Sequence, residues 1–312
     1  MSSFYNLYGP KGLPKFHGDG DLVEDTWFDT FTGLYKELEV YGSNPGVWSI
    51  GASGAFNTMG SSCCGTQQSC IHLGGNNTDY DDYYQEFDGV SWSVGTYLGF
   101  KTQYGLIRGT VNSATLVVGN NHAINTFTSK SFDGVSWSDL AATPNISVYG
   151  SSSGTENDLL CFAHYSAGGT MYYDGVSWTA YSGSHVMNTY YGTGGGTSGA
   201  YAILAHYAGG HDSKIYDGTS WAAAGDTLST RAANPSSFGN ELEFITFGGT
   251  DTGASSYYDG AVWSSAANAL YLTNFAGTAG TSKHGHLAGS PTTTNSQLWD
   301  QDELYKVKEA QL

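Results

Sequence analysis

A single octapeptide recurs five times along the chain, each time as an aromatic residue followed by Asp-Gly, two small or branched residues and Trp. Its copies span residues 86–93, 131–138, 172–179, 215–222 and 257–264. The five tryptophans, Trp92, Trp137, Trp178, Trp221 and Trp263, are 45, 41, 43 and 42 residues apart. A period of about 40–50 residues built from short strands and turns is typical of β-propeller blades. The repeat therefore predicts an all-β propeller, a scaffold that hosts many activities.

Each period divides into four strand-like stretches, the number expected for one propeller blade. The first strand is assigned to the small-residue stretches 54–59, 104–108, 146–149, 185–191, 229–232 and 270–275. The second strand is more apolar and is assigned to residues 69–75, 114–119, 159–164, 202–206 and 243–249. The third strand carries the aromatic residue, and the fourth carries the tryptophan.

The repeated Asp-Gly pair lies between the third and fourth strands, where it is a strong signal for a hairpin turn. We expect its aspartates to stabilise the turns; they are Asp88, Asp133, Asp174, Asp217 and Asp259. We expect the five tryptophans to be structural and buried between neighbouring blades, because burial of so large an apolar side chain explains its recurrence without a ligand.

A sixth, degenerate copy ends the repeat. The next step of the period reaches Trp299 and Asp300, but Gln301 replaces the glycine and Leu304 replaces the tryptophan. We therefore assign residues 282–306 to the outer half of the last blade.

A fragment at residues 41–49 resembles the same hairpin, with Trp48 lying 44 residues before Trp92. This fragment is able to complete the last blade by pairing strands from the two ends of the chain, which removes exposed sheet edges. The expected organisation is an N-terminal arm (1–45), a six-bladed propeller with four strands per blade (46–306) and a C-terminal tail (307–312).

The arm lies outside the repeat but is rich in aromatic residues, unlike a disordered tail. These residues are Phe4, Tyr5, Tyr8, Trp27, Phe28, Phe31 and Tyr35. Because the propeller buries its own core, we expect the arm to dock on a neighbouring subunit or on a partner in a larger assembly.

The chain is strongly acidic, with a formal net charge of −17 and only 12% charged residues. This charge disfavours nucleic acid and anionic membrane surfaces as partners. No stretch of 18 apolar residues predicts a transmembrane helix, and the N-terminus has neither the basic nor the apolar region of a secretory signal peptide.

Four cysteines, Cys63, Cys64, Cys70 and Cys161, are expected to be free thiols or to include a local Cys64–Cys70 disulfide across a hairpin. A CxxC pair is absent, so a zinc site is not indicated.

Histidines recur near the ends of second strands, but their registers differ, so a converging ring of imidazoles is not expected. They are His72, His164, His206 and His286. His284 and His286 share a strand face but have no evident third ligand. The sequence has no recognisable nucleophile elbow, phosphate loop or zinc-protease motif, and we expect no cofactor.

The segment 79–84 places three carboxylates among three tyrosines. A solvated loop explains this cluster, although Asp79, Asp81 and Asp82 are candidate ligands for weak Ca²⁺ binding. Polar segments at 120–125, 192–199 and 249–253 are interpreted as flexible loops, the usual place for binding residues.

Gly-Gly pairs after the second strand, each followed by an aromatic residue and then the tryptophan, resemble kelch repeats; they occur at 74–75, 168–169, 209–210 and 248–249. The motif with Asp-Gly-x-Ser-Trp is also similar to kelch-like repeat proteins of tailed phages and of bacterial surfaces. The resemblance implies a virion or tail component. The galactose-oxidase family shares this propeller, but its copper ligands and Tyr-Cys crosslink have no counterpart around Cys161.

Three functions remain open. The first is a non-enzymatic virion component, part of an oligomer, displaying loops for host-surface or subunit interaction. The second is a secreted or surface-bound carbohydrate-binding propeller, which requires an export route and sugar affinity. The third is a glycan-active enzyme, which requires acids or histidines clustered at one mouth of the channel. The missing export signal and catalytic motif favour the first.

Overall fold

The computed structural model describes seventeen segments of the chain: 26–29, 34–43, 46–54, 60–75, 82–95, 97–118, 128–144, 150–162, 170–183, 186, 192–206, 210–228, 235–249, 253–270, 276–288, 294–301 and 303–309. The chain divides into two compact units. One comprises Met1–Asn44 with Asp302–Leu312, and the other comprises Pro45–Gln301.

The first unit contains a three-stranded antiparallel sheet made from both ends of the chain. Its strands are β1 (Thr26–Asp29), β2 (Leu34–Ser43) and β27 (Glu303–Glu309), in the order β1-β2-β27. The central strand β2 pairs Leu38 with Val307, and the register shifts between Val40 and Gly42.

The second unit is a six-bladed β-propeller, as the repeat predicts. Blade I comprises β4 (Ser62–Thr66), β5 (Ser69–Leu73), β6 (Tyr84–Phe87) and β7 (Trp92–Val94). Blade II comprises β8 (Leu106–Gly109), β9 (Ala114–Val117), β10 (Ser129–Phe132) and β11 (Trp137–Asp139). Blade III comprises β12 (Ser151–Thr155), β13 (Asp158–Phe162), β14 (Met171–Tyr173) and β15 (Trp178–Ala180).

The remaining blades follow the same antiparallel order from the axis outwards. Blade IV comprises β16 (Thr193–Ser198), β17 (Tyr201–Ala205), β18 (Asp212–Tyr216) and β19 (Trp221–Asp226). Blade V comprises β20 (Pro235–Gly239), β21 (Phe244–Gly248), β22 (Ser255–Tyr258) and β23 (Trp263–Ala266). Blade VI comprises β24 (Gly277–Gly280), β25 (His284–Ala288), β26 (Gln297–Asp300) and β3 (Val47–Ile50).

An N-terminal strand closes the ring. The strand β3 pairs with β26 and sets Trp48 opposite Trp299, with ring centroids 5.3 Å apart. The fully buried ring of Trp299 packs directly on Gly46, where the φ angle is +75° and an added Cβ would lie 2.1 Å from the ring. The assignment of residues 282–306 to one blade therefore differs from the structure, because Glu303–Glu309 pairs with Leu34–Ser43 instead.

The innermost strands begin later in the chain than expected in most blades. The predicted stretches 54–59, 146–149, 185–191, 229–232 and 270–275 lie wholly or almost wholly outside the described residues, and only 104–108 overlaps an innermost strand. The strands that surround the axis are instead rich in Gly, Ser and Thr. Their close approach explains this composition: a Cβ added to Gly195 would lie 2.4 Å from the carbonyl oxygen of Gly239 in the next blade.

The second strands form the core, because both of their faces are buried between blades. In blade III, Leu159 and Cys161 pack against blade II, whereas Leu160 and Phe162 pack against blade IV. Across the described residues, one apolar cluster lies at each of the six blade interfaces. This placement follows from the period-2 alternation of a strand with a blade on either side.

The motif tryptophans are half-buried, less than expected, and each begins an outermost strand. Trp178 packs its ring on Tyr173 of its own blade at a centroid distance of 4.9 Å. Its indole N–H donates to Ser129 Oγ of blade II (3.0 Å), and Ser129 in turn donates to the carbonyl oxygen of Ala141 (2.8 Å).

Blades IV and V repeat this link. Trp263 Nε1 donates to Ser213 Oγ (3.0 Å), which donates to the carbonyl oxygen of Gly225 (2.7 Å). Blade I departs from the pattern, because Tyr84 occupies the position equivalent to Ser129. In agreement with this exchange, the buried Nε1 of Trp137 has no hydrogen-bond acceptor among the described residues. Elsewhere the link takes another form, because Trp48 and Trp92 donate to the carbonyl oxygens of Ala267 and Ala52.

The Asp-Gly turns are held by the aspartate side chain. Oδ1 of Asp133 accepts the backbone N–H groups of Val135 (2.9 Å) and Ser136 (2.7 Å). These hydrogen bonds favour the carboxylate and lower the pKa of Asp133. At Asp217 an added hydrogen bond from the Thr219 hydroxyl, with those from the backbone, lowers the pKa to about 2. The same arrangement recurs at Asp88, Asp174 and Asp259.

Two substitutions separate the two contributions of a motif tryptophan. Trp178→Ala removes the ring and the inter-blade hydrogen bond, and should lower the free energy of unfolding by about 3 kcal/mol, the low end for a large aromatic because the ring is half-buried. Trp178→Phe keeps a ring and loses only the hydrogen bond, and should cost about 1 kcal/mol. Urea denaturation measures both values. A Trp178→Ala variant as stable as the parent would show that the residue has no structural role.

Candidate functional site

The six innermost strands surround an axial channel. Two adjoining cavities of about 140 Å³ and about 180 Å³ lie along it. Each of the six blades contributes one backbone segment to the first cavity. Glycine, serine and threonine make up most of the wall, and the described lining contains no carboxylate or histidine.

Arg108 is the one charged residue in the described lining and borders both cavities. It comes from the innermost strand of blade II and extends past blade III to blade IV. Its Nη2 donates to the carbonyl oxygens of Ser152 and Gly194, the latter at 3.5 Å. Burial lowers the pKa of Arg108, although a guanidinium remains protonated in proteins. The sequence analysis missed this residue; the available signal was that the chain has only two arginines.

All four cysteines are free thiols and are buried. Cys63 and Cys70 lie at the interface of blades I and VI, where the Cys63 thiol donates to the sulfur of Cys70. This hydrogen bond lowers the pKa of Cys70 and raises that of Cys63. Burial raises the pKa values of Cys64 and Cys161. The Cys64–Cys70 disulfide that the sequence left open is not formed.

His72 is a buried, doubly bonded imidazole. Its Nδ1 lies 3.2 Å from the side-chain amide of Gln85, and its Nε2 contacts the hydroxyl of Ser61. Burial, with a smaller contribution from the charge of His286, lowers the pKa of His72 to about 3. The ring is therefore neutral at pH 7 and acts as a hydrogen-bonding core residue.

The other histidines do not form a ring of ligands within the described part of the chain. His286 lies 3.6 Å from Cys70 through Nδ1, which also faces the carbonyl oxygen of Gln67 at 3.2 Å. His206 contacts the carbonyl oxygen of Gly210 in blade IV, and His284 pairs with Asp300 at 3.1 Å on the surface. His164 lies outside the described residues.

The Ca²⁺ candidates are described only in part. Asp82 lies at a turn and accepts a hydrogen bond from the N–H of Leu98 through its backbone oxygen, whereas Asp79 and Asp81 lie outside the described residues. Over the described segments, no group of three or more His, Cys, Asp and Glu side chains is arranged to hold a metal ion.

The three polar segments fare differently. Residues 193–198, interpreted as part of a flexible loop, form the innermost strand of blade IV, so that interpretation is wrong. Their glycines serve the close approach of strands around the axis. Residues 120–125 lie outside the described residues, as does most of 249–253.

The arm residues are also only partly placed. Trp27 and Phe28 belong to β1, and Tyr35 belongs to β2. Phe4, Tyr5, Tyr8 and Phe31 lie outside the described residues. The docking of these aromatic side chains stays a prediction.

The Asp-Gly turns expose an apolar side chain at the same position in three successive blades. Val90, Val135 and Val176 follow the turn glycine and are 81%, 82% and 81% exposed. Isolated exposed apolar residues are ordinary. These three valines, however, occupy the same turn position, so that consecutive blades each expose a valine at the outer rim.

The buried imidazole leads to a pH prediction. The pKa of His72 is about 3 in the folded protein and about 6.5 when unfolded. Unfolding therefore takes up a proton below pH 6.5, so this residue's contribution to stability is complete above pH 6.5 and is lost as the pH falls towards 3. The slope should approach ~1.4 kcal/mol per pH unit.

Denaturation of the parent and of His72→Gln between pH 7 and about 4 measures this slope. The difference between the two curves should shrink as the pH falls. Val135→Thr, which alters an exposed side chain with no titratable group, is the control and should run parallel to the parent. Parallel curves for His72→Gln as well would contradict the assignment of a neutral buried ring.

Comparison with known proteins adds no family to this description. Within the described segments, no helix has the length and apolar character needed to cross a membrane. No protein-family model matches the chain, and no curated protein sequence is similar to it.

Proposed function

We propose that the chain is a non-enzymatic structural component of a virion, tail- or capsid-associated, whose terminal unit attaches it to neighbouring proteins while the propeller displays its loops. The kelch-like repeat with Asp-Gly-x-Ser-Trp motifs supports a phage relationship. We favour an attachment role over a free propeller because of the three-stranded sheet β1-β2-β27 formed by the two ends of the chain.

The observation that carries the proposal is the sheet β1-β2-β27. The propeller closes through Val47–Ile50 and has no need of this sheet for its own blades. Within the described residues, β1 and β27 each pair on one side only. Unpaired strand edges bind further strands through main-chain hydrogen bonds, a common mode of protein recognition. The terminal unit therefore offers two edges for a neighbouring subunit or a partner protein.

The rim valines add a second surface suited to assembly. Val90, Val135 and Val176 lie in turns that otherwise contain Asp, Gly and Ser. Apolar side chains repeated on a polar rim favour contacts with another protein over permanent exposure to water. A carbohydrate-binding role would instead rely on exposed aromatic residues such as Tyr97 and Tyr201, which are 60% and 48% exposed. These two residues lie in different blades.

Particle analysis tests the proposal directly. Quantitative mass spectrometry of purified particles should find a fixed number of copies per particle. Immunogold electron microscopy with antibodies against the propeller should label one location. Finding the chain only as free protein, with saturable binding on a glycan array, would contradict the proposal and favour the carbohydrate-binding alternative.

Removal of the arm tests the attachment. A chain lacking residues 1–40 should retain the unfolding transition of the propeller, because all strands of the six blades remain, but should fail to join particles. Sedimentation and particle incorporation measure the loss. The full-length variant Trp178→Phe controls for a mild loss of stability and should still be incorporated. A full-length chain that is monomeric, together with a truncated chain that unfolds, would show that the arm is part of the core.

A further inference from the structure

We propose that the axial channel of the propeller binds a small oxyanion, such as inorganic phosphate or a small carboxylate, at Arg108. This inference does not depend on the virion assignment. It rests on the position of Arg108, on its unused hydrogen-bond donors and on the chemistry of the channel wall.

The guanidinium has spare donors. Arginine has five N–H groups, and the hydrogen bonds of Arg108 to Ser152 and Gly194 use only Nη2. Nε is buried and has no acceptor among the described residues. No carboxylate or backbone oxygen in those residues accepts from Nη1 either. Each remaining N–H group belongs to a cation, so it is able to donate a charge-assisted hydrogen bond to a carboxylate or phosphate oxygen.

The charge of Arg108 is also uncompensated. The described ion pairs join Lys130 to Asp139, Lys283 to Glu243, and His284 to Asp300, and none includes Arg108. A cation in a largely buried setting is costly without a partner of opposite charge. In a chain with a net charge of −17, this guanidinium has no carboxylate beside it in the described lining, which marks the channel as a place for an external anion.

The wall of the channel fits a small polar ligand. The innermost strands pair on one side only, so their free edges face the axis with backbone N–H and C=O groups. Ser62 adds a buried hydroxyl with no hydrogen-bond partner in the described residues. The cavity of about 140 Å³ that contains Ser62 and Arg108 is well above the size needed for one water molecule.

Nuclear magnetic resonance of the arginine side chains tests the proposal on the full chain. Only Arg108 and Arg231 contribute Nε–H signals, and Arg231→Lys assigns them. Sodium phosphate and sodium acetate are titrated separately, with ionic strength held constant by sodium chloride. The Arg108 signal should shift saturably with at least one of the two anions. The Arg231 signal should not follow the same curve. An Arg108 signal unchanged by both anions would overturn the proposal and leave Arg108 as a strut between blades.

Calorimetric titration of variants gives a second readout. Arg108→Gln should weaken binding of the active anion about tenfold or more, because it removes a charge-assisted hydrogen bond. Lys130→Gln removes the same charge from the third strand of the same blade, away from the channel, and should bind as the parent does. Equal affinity of Arg108→Gln and the parent would overturn the proposal. If Arg108→Gln does not fold, the signal of the parent still decides the question.

Discussion

Ring closure between the strand Val47–Ile50 and the strand Gln297–Asp300 is the constraint on which the propeller depends. Each blade interface buries an apolar cluster, and the sixth and first blades meet only if the chain ends are brought together. The contact between the two chain ends is specific and lies within blade VI: Trp48 packs on Trp299, and Trp299 packs on Gly46. Five further interfaces follow from local sequence, whereas the interface of blades VI and I joins residues such as Cys70 and His286, which are 216 positions apart.

The close approach of the six innermost strands around the axis determines both how the blades pack and what lines the candidate site. Six strands that approach one another around a channel require small side chains, and their free edges leave backbone polar groups facing inwards. Arg108 is the one charged residue of the described lining, and it reaches carbonyl oxygens of two other blades. At the outer edge, Trp178 and Trp263 join neighbouring blades through their indole N–H groups.

The sequence was sufficient to predict the outer three strands of most blades, but not to locate the innermost strands around the axis. The Asp-Gly and tryptophan spacing predicted the third and fourth strands, and apolar runs predicted the second, because those strands carry large recurring side chains. The first strands were misplaced because Thr193–Ser198 and its equivalents consist of small residues that also occur in loops. Arg108 was overlooked because it lies in a single blade and in no repeated motif. Arg108 became a candidate binding residue because no carboxylate accompanies it in the described channel lining, and the sequence alone does not show which residues line the channel.

The most direct test of this account uses two shortened chains, residues 45–301 and residues 52–301. They differ mainly by the strand Val47–Ile50, which completes blade VI. If this strand closes the ring, the longer chain should unfold in one cooperative transition in urea, and the shorter chain should show a much lower midpoint or fail to fold. Equal midpoints for the two chains would contradict closure by the N-terminal strand.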